Sequence, residues 1–281
     1  MTNIIVTKAS GEQEPYDEAK LRNSLTKAGA EQQTIDHIAQ VILHELYDGI
    51  STHEIYQKAF QKLQMHSKRS AGRYKLKNAI MELGPTGFPF EKFIGGLLDR
   101  LEYSTQVGVT IDGECVSHEI DVIAEKGDEY FMIECKFHNR KGLKCNVQVP
   151  LYIQSRFLDV KTKLKTHSGH DNQPPQAWLV TNTKFTSDAL QYGECMGIKM
   201  LSWDYPQGNG LKELVDRANL HPLTCLSSLS QRDKQQLIQL DAVFCKDLIK
   251  NKKLMKEAGI NSTKTDAILK EAEAICNHEN Q

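Results

Sequence analysis

Asp121, Glu134 and Lys136 are the residues of this chain whose types and spacing suggest chemistry. They lie in two runs of period-2 character, His118-Glu119-Ile120-Asp121-Val122-Ile123-Ala124-Glu125 and Tyr130-Phe131-Met132-Ile133-Glu134-Cys135-Lys136-Phe137, separated by Lys126-Gly127-Asp128-Glu129. Such a pattern predicts two antiparallel strands joined at Gly127-Asp128. A two-residue loop sets Lys126 against Glu129 and, counting back, Asp121 against Glu134 and Glu119 against Lys136. One face then carries Glu119, Asp121, Ile123, Met132, Glu134 and Lys136. The other carries Ile120, Val122, Ala124, Phe131, Ile133, Cys135 and Phe137, an apolar set fit for a core. Two carboxylates opposite one another repel. A divalent cation between them would remove that cost, and Lys136 would offset part of it without metal. A salt bridge between Glu119 and Lys136, on an otherwise solvated charged face, is the plain structural alternative.

The elements that must position this hairpin are legible on both sides. Phe90, Phe93, Ile94, Leu97, Leu98 and Leu101 fall at helical spacing, with Glu91 beside the stripe and Gly95-Gly96 inside it. A strand over Thr105–Ile111 precedes the hairpin. After it come a helix over Val149–Val160, a breaker-rich loop over 166–175, a buried strand over Ala177–Asn182, a helix over Ser187–Cys195 and a strand over Ile198–Trp203.

That order, helix, three strands, helix, strand, with Asp121 and then Glu134-Cys135-Lys136, resembles the PD-(D/E)xK nuclease superfamily. The string FEKFIGGLLDRLEY, then HEIDVIAE, then FMIECKFHN is similar to its Mrr-like branch, the type IV restriction endonuclease domain. The resemblance implies an αβββαβ core with a mixed sheet and Mg²⁺- or Mn²⁺-dependent cleavage of DNA. Asp121, Glu134 and the backbone carbonyl of Cys135 would be the metal ligands, since Mg²⁺ takes hard oxygens and keeps several waters. Lys136, on the same face as Glu134, would orient the attacking water or stabilise the developing charge. Glu91 matches the family's acidic residue on the first helix, and Gln148 or Gln154 would contact substrate or site.

The first 86 residues read as a hairpin, Asn3–Lys8 and Gln13–Tyr16 turning at Ser10-Gly11, followed by helices. Gly29 ends the first, Thr34 is a candidate cap for the second, Ser51 caps the third, and a basic helix spans Lys68–Leu83 before Gly84-Pro85. The strings VTKASGEQEPYDEAKLRNSL, GISTHEIYQ and AGRYKLKNAIMELGP resemble an ATP-cone, the nucleotide-sensing module of many ribonucleotide reductases. The resemblance implies an ATP or dATP pocket lined by Val6, Lys8, Glu14, Asp17, Lys20 and Thr52. Ala9 departs from the pattern, which usually has an arginine there, and Lys75 or Lys77 is a candidate replacement for the missing cation.

Composition bounds the rest. A chain of 281 residues with 25% charged and 40% hydrophobic residues can build two or three soluble domains. The net charge of -1 provides no general basic field, so a nucleic acid would be held by local clusters. Seven scattered cysteines without a CxxC pair argue against a disulfide scaffold or zinc module, and no membrane span or signal peptide is evident, so the expected compartment is the cytoplasm. ATP would act as an effector because no GxxxxGK[ST] pattern occurs.

Residues 223–281 read as helices: Ser230 to Leu240, Asp241 to Ile249, Lys252 to Ala258 and Lys264 to Cys276. LMKEAGINSTKTDAILKEA has the look of a helix-hairpin-helix, and a packing tail or dimer contact fits the same residues. The reading is therefore an α/β chain of three parts, an ATP-cone over 1–86, a nuclease domain over 87–222 and a helical tail over 223–281. Its expected partners are DNA and adenine nucleotide, without a membrane, and double-strand cleavage by one site per chain would call for a homodimer. A nucleotide-responsive DNA-binding regulator with a non-catalytic nuclease fold is the alternative.

Overall fold

The computed structural model describes residues 4–140, 142–168 and 174–276, with the side chains of 166–168 also left aside. Asn3 of the expected first strand and residues 169–173 of the expected loop lie outside these. In chain order the elements are β1 (Ile5–Thr7), β2 (Gln13–Pro15), α1 (Glu18–Lys27), α2 (Gln32–Glu45), α3 (Thr52–His66), α4 (Lys68–Tyr74) and α5 (Leu76–Met81). Next come α6 (Phe88–Arg100), β3 (Ser104–Asp112), β4 (Ser117–Lys126), β5 (Glu129–Lys136), β6 (Lys144–Cys145), α7 (Gln148–Ser168), β7 (Gln176–Thr181), β8 (Lys184–Phe185), α8 (Ser187–Cys195), β9 (Lys199–Leu201) and α9 (Leu211–Ala218). The chain finishes with α10 (Gln231–Gln239), α11 (Cys245–Lys250), α12 (Lys253–Glu257) and α13 (Ser262–Cys276).

The expected parts are 1–86, 87–222 and 223–281; contacts within the chain group it into two units. Residues 1–79 and 221–281 form one unit, and residues 80–220 form a second. In the first unit the β1–β2 hairpin and α1–α3 close on Val6, Leu21, Leu25, Ile38, Ile42 and Leu63. Asp17 caps α1 by accepting from the Ala19 amide at 2.9 Å, and Ser51 caps α3 by accepting from Glu54. Thr34 is no cap: α2 begins earlier, after Glu31.

The C-terminal segment is built onto the same unit. Gly72 on α4 lets Ile275 of α13 approach so closely that a Cβ there would clash with its Cδ1. Thr224 donates to the Ala79 carbonyl at 2.6 Å, and Lys75 donates to the Thr224 carbonyl at 3.0 Å. These contacts fall where the expected single helix over 68–83 divides into α4 and α5. Glu271, 2% exposed, accepts from both the amide and the hydroxyl of Ser227 and from the Ser228 amide. Residues 241–244 are not helical as expected: Asp241 takes φ +64°, and Asp247 caps α11 by accepting from the Val243 and Phe244 amides.

The second unit is a five-stranded mixed sheet in the order β3-β4-β5-β7-β9. β3, β4 and β5 are antiparallel, and β7 and β9 run parallel to β5 and to each other. Parallel neighbours need crossovers, which α7 and α8 provide. Phe90, Phe93, Ile94, Leu97 and Leu98 of α6 are buried against the β3–β5 strands, as their spacing predicts. Gly95 allows this approach, for a Cβ there would lie 2.7 Å from Val107 Cγ2. Ile153, Phe157, Val160 and Leu164 of α7 form a second cluster with Ile123, Met132 and Leu179.

Candidate functional site

The hairpin has the expected register, with Val122 opposite Ile133 and Lys126 opposite Glu129. Its faces differ from expectation. Ile120 joins Ile123 and Met132 in the α7-side cluster, so the apolar residues do not segregate to one side. The cause lies one rung away. β3 pairs Val107 with Val122 and Val109 with Ile120, which leaves Gly108 and Asp121 out of the ladder. Gly108 has φ +68°, a conformation that costs glycine little and other residues much. The pleat is disturbed there while the register is kept, one residue of each strand standing unpaired.

Asp121 therefore stands where regular pairing lapses on both sides. The β4–β5 ladder also stops at Val122 and Ile133, and the Cys135 amide donates to Asp121 Oδ2 at 2.7 Å. β5 meanwhile continues beside β7, with Glu134, Cys135 and Lys136 opposite Leu179, Val180 and Thr181. The Thr181 hydroxyl donates to the Lys136 carbonyl at 2.7 Å. Asn182 accepts from the His138 amide at 2.8 Å and donates to its carbonyl at 2.7 Å. These contacts hold the end of β5, from which Lys136 projects exposed.

Electrostatics joins Glu91 to the pair. Burial in the first turn of α6, with the charges of Asp121, Glu119 and Glu134, pushes Glu91 up to about 7. Burial and the charge of Asp121 raise Glu134, outweighing the relief from Arg156 and Lys136. Burial raises Asp121 too, against the lowering effect of the Cys135 amide, Arg156 and Lys136. Three mutually repelling carboxyls and a lysine thus share one environment. The thiol of Cys135 is buried and its pKa lies well above the ordinary value, so only its backbone could serve a hard cation.

No group of three or more His, Cys, Asp or Glu side chains among the described residues is placed to hold a metal ion. What the site offers is a pair of hard donors, Asp121 Oδ1 and Glu134 Oε1, neither taking a hydrogen bond from a described residue. That donor set suits a cation that keeps most of its waters, as Mg²⁺ does. Glu119 and Lys136 form no ion pair with each other. The carbonyl of Glu119 instead accepts from Arg156, a residue that pattern reading passed over. Arg156 also pairs with Glu134. A signal for it was present, because position 156 falls on the buried stripe of Ile153, Phe157 and Val160, where a charge is out of place.

In the N-terminal hairpin, Lys8 meets Glu14 at 2.7 Å and Glu12 at 3.2 Å, and Lys20 meets Glu14 at 2.9 Å. Val6 lies opposite Glu14 and is buried. Thr52 opens α3 next to Ser51, which bridges to Thr7. Lys8, Glu14 and Lys20 are thus brought together, while Asp17 is engaged as a helix cap and Lys75 in holding Thr224. Among the described residues no helix is long and apolar enough to cross a membrane.

Comparison with known proteins agrees with this division. Residues 4–81 match the ATP cone domain, and residues 221–276 match the C-terminal domain described as AF1548-like. An uncharacterized protein of Archaeoglobus fulgidus is 35% identical over 183 residues, covering 64% of this chain and 97% of the relative. A solved structure titled as the crystal structure of a protein of unknown function, AF1548, superposes with a TM-score of 0.56 at 32% identity. It covers 68% of this chain and 98% of that one. With an ATP cone at its front and this extent of likeness, the chain belongs to the AF1548-like family.

Proposed function

We propose that residues 80–220 are a metal-dependent DNA endonuclease of the Mrr-like PD-(D/E)xK kind, regulated by adenine nucleotide at the ATP cone. The observation that carries the reading is the lapsed rung at Asp121, where the charge of Asp121 acts on Glu134 and that of Lys136 acts on both carboxyls. The strand order and the placement of α6 and α7 fit the same reading. Asp121 and Glu134 would hold Mg²⁺, with the Cys135 carbonyl as a further oxygen. When bound, the cation would polarise the scissile phosphate and neutralise its charge. Lys136 would stabilise charge developing on the phosphoryl oxygens, and Glu91, whose carboxyl burial and its acidic neighbours raise, would exchange a proton there.

One observation favours the alternative, a DNA-binding regulator without catalysis: Arg156 already satisfies one oxygen of Glu134. Supercoiled plasmid separates the two readings. A nuclease nicks it in Mg²⁺ or Mn²⁺ and stops nicking on Asp121→Ala, whereas a regulator binds it and leaves it intact in every metal. ATP or dATP added to the same reaction tests gating, which requires the nucleotide to prefer one of two conformations.

A further inference from the structure

Arg156 has no counterpart in the chemistry outlined so far. It sits on α7 with its Nη1 donating to Glu134 Oε2 at 2.5 Å and its Nη2 donating to the Glu119 carbonyl on β4. Its guanidinium carbon lies 5.5 Å from the centre of the Tyr152 ring. Both partners of the ion pair are largely enclosed, the Arg156 side chain 11% exposed and that of Glu134 17%. The Arg156 Nε is buried and has no hydrogen-bond partner among the described residues. The guanidinium is therefore held at the carboxylates by two strands and an aromatic face, yet its donors are not all satisfied.

We infer that Arg156 competes with the divalent cation for Glu134 and turns its guanidinium to a substrate phosphate when the cation binds. This inference rests on the nuclease reading. A cation drawing on Glu134 must share that carboxylate with a guanidinium already bonded to it, and two positive groups at one carboxylate repel. Moving the guanidinium off Oε2 relieves both. The released fork, with its unsatisfied Nε, matches the paired oxygens of a phosphate, which a lysine's point charge does not. Metal and DNA would then assist one another: phosphate draws Arg156 away from the metal site, and metal frees Arg156 for phosphate. Linkage makes that assistance reciprocal.

The test uses the full chain and two readouts that do not depend on cleavage. Mn²⁺ is titrated calorimetrically into wild type, Arg156→Gln, Arg156→Lys and Asp121→Asn. Binding to a short DNA duplex is followed against salt concentration in EDTA and again in saturating Mn²⁺. Arg156→Gln should bind Mn²⁺ at least about fivefold tighter than wild type, the lower end of ordinary coupling between sites. Its DNA affinity in Mn²⁺ should fall, with a salt slope shallower by about one, while in EDTA it should differ little from wild type. Arg156→Lys keeps the charge and much of the stem, so its Mn²⁺ affinity should stay near wild type. If Arg156→Gln binds Mn²⁺ no tighter than wild type, or keeps the wild-type salt slope in Mn²⁺, Arg156 merely clamps Glu134 and the inference is overturned while the nuclease reading stands. Absence of Mn²⁺ binding sensitive to Asp121→Asn in wild type and Arg156→Gln alike would overturn both.

Discussion

Replacing Glu91 with glutamine should make the second unit more stable at high pH and leave it nearly unchanged at low pH. Glutamine imitates the protonated carboxyl, and burial with three neighbouring acids raises Glu91 from an ordinary value of 4.5 to about 7. The folded state therefore holds this proton more tightly than the unfolded chain. Between the two values it binds more protons than the unfolded state, so stability falls as pH rises and the loss is complete above about pH 7. At full strength the shift corresponds to about 3 kcal/mol. Solvent at this half-buried site screens it to about 1–2 kcal/mol. Both tryptophans, Trp178 and Trp203, lie within residues 80–220, so their fluorescence during urea unfolding reports on that unit. In EDTA the advantage of Glu91→Gln over wild type should be near zero at pH 5 and about 1–2 kcal/mol at pH 8. An advantage that is absent at pH 8, or equal at the two pH values, would refute the shared acidic environment. Saturating Mg²⁺ should shrink the difference by neutralising the neighbouring carboxylates.

Other expectations follow from single contacts. Gly95→Ala gains up to about 1 kcal/mol of helix propensity but drives a Cβ into Val107, so the same tryptophan signal should show a net loss of about 1–2 kcal/mol. Glu271→Gln keeps the shape of a buried acceptor but not its charge, and should lower the thermal midpoint of the first unit by circular dichroism, at a cost of about 1–3 kcal/mol. The Ser227 and Ser228 hydrogen bonds hold the Glu271 carboxyl below its ordinary value despite burial. Its contribution is therefore present above the unfolded pKa and is lost as pH falls through the folded one. Ala9→Arg restores a cation beside Lys8, and calorimetry should show tighter binding of ATP or dATP, with Lys8→Ala showing the reverse.

The contrast between what the residues announced and what they concealed has a physical basis. The turn at Gly127-Asp128 is local, and it set the register from Lys126 against Glu129 back to Val122 against Ile133, the rung next to Asp121 and Glu134. The α6 stripe was legible for the same reason, because helical spacing repeats within a few residues. The lapse at Asp121 was not, since it depends on Gly108, a glycine of the neighbouring strand whose left-handed conformation no pattern around Asp121 reveals. Arg156 was hidden by distance along the chain, although its place on an apolar stripe marked it. The C-terminal helices showed their apolar faces but not what they face. Their attachment to α4 and α5 depends on Gly72, Lys75 and Thr224, which carry no periodic signal.

If Lys136 acts in the chemistry and does more than balance charge, removing it slows cleavage without weakening metal binding. The direct measurement is the rate of plasmid nicking by Lys136→Ala at saturating Mg²⁺, beside its Mn²⁺ affinity by calorimetry. The rate should fall by about a hundredfold or more, with metal affinity equal to or tighter than wild type. A Lys136→Ala protein that nicks plasmid at the wild-type rate would contradict that role.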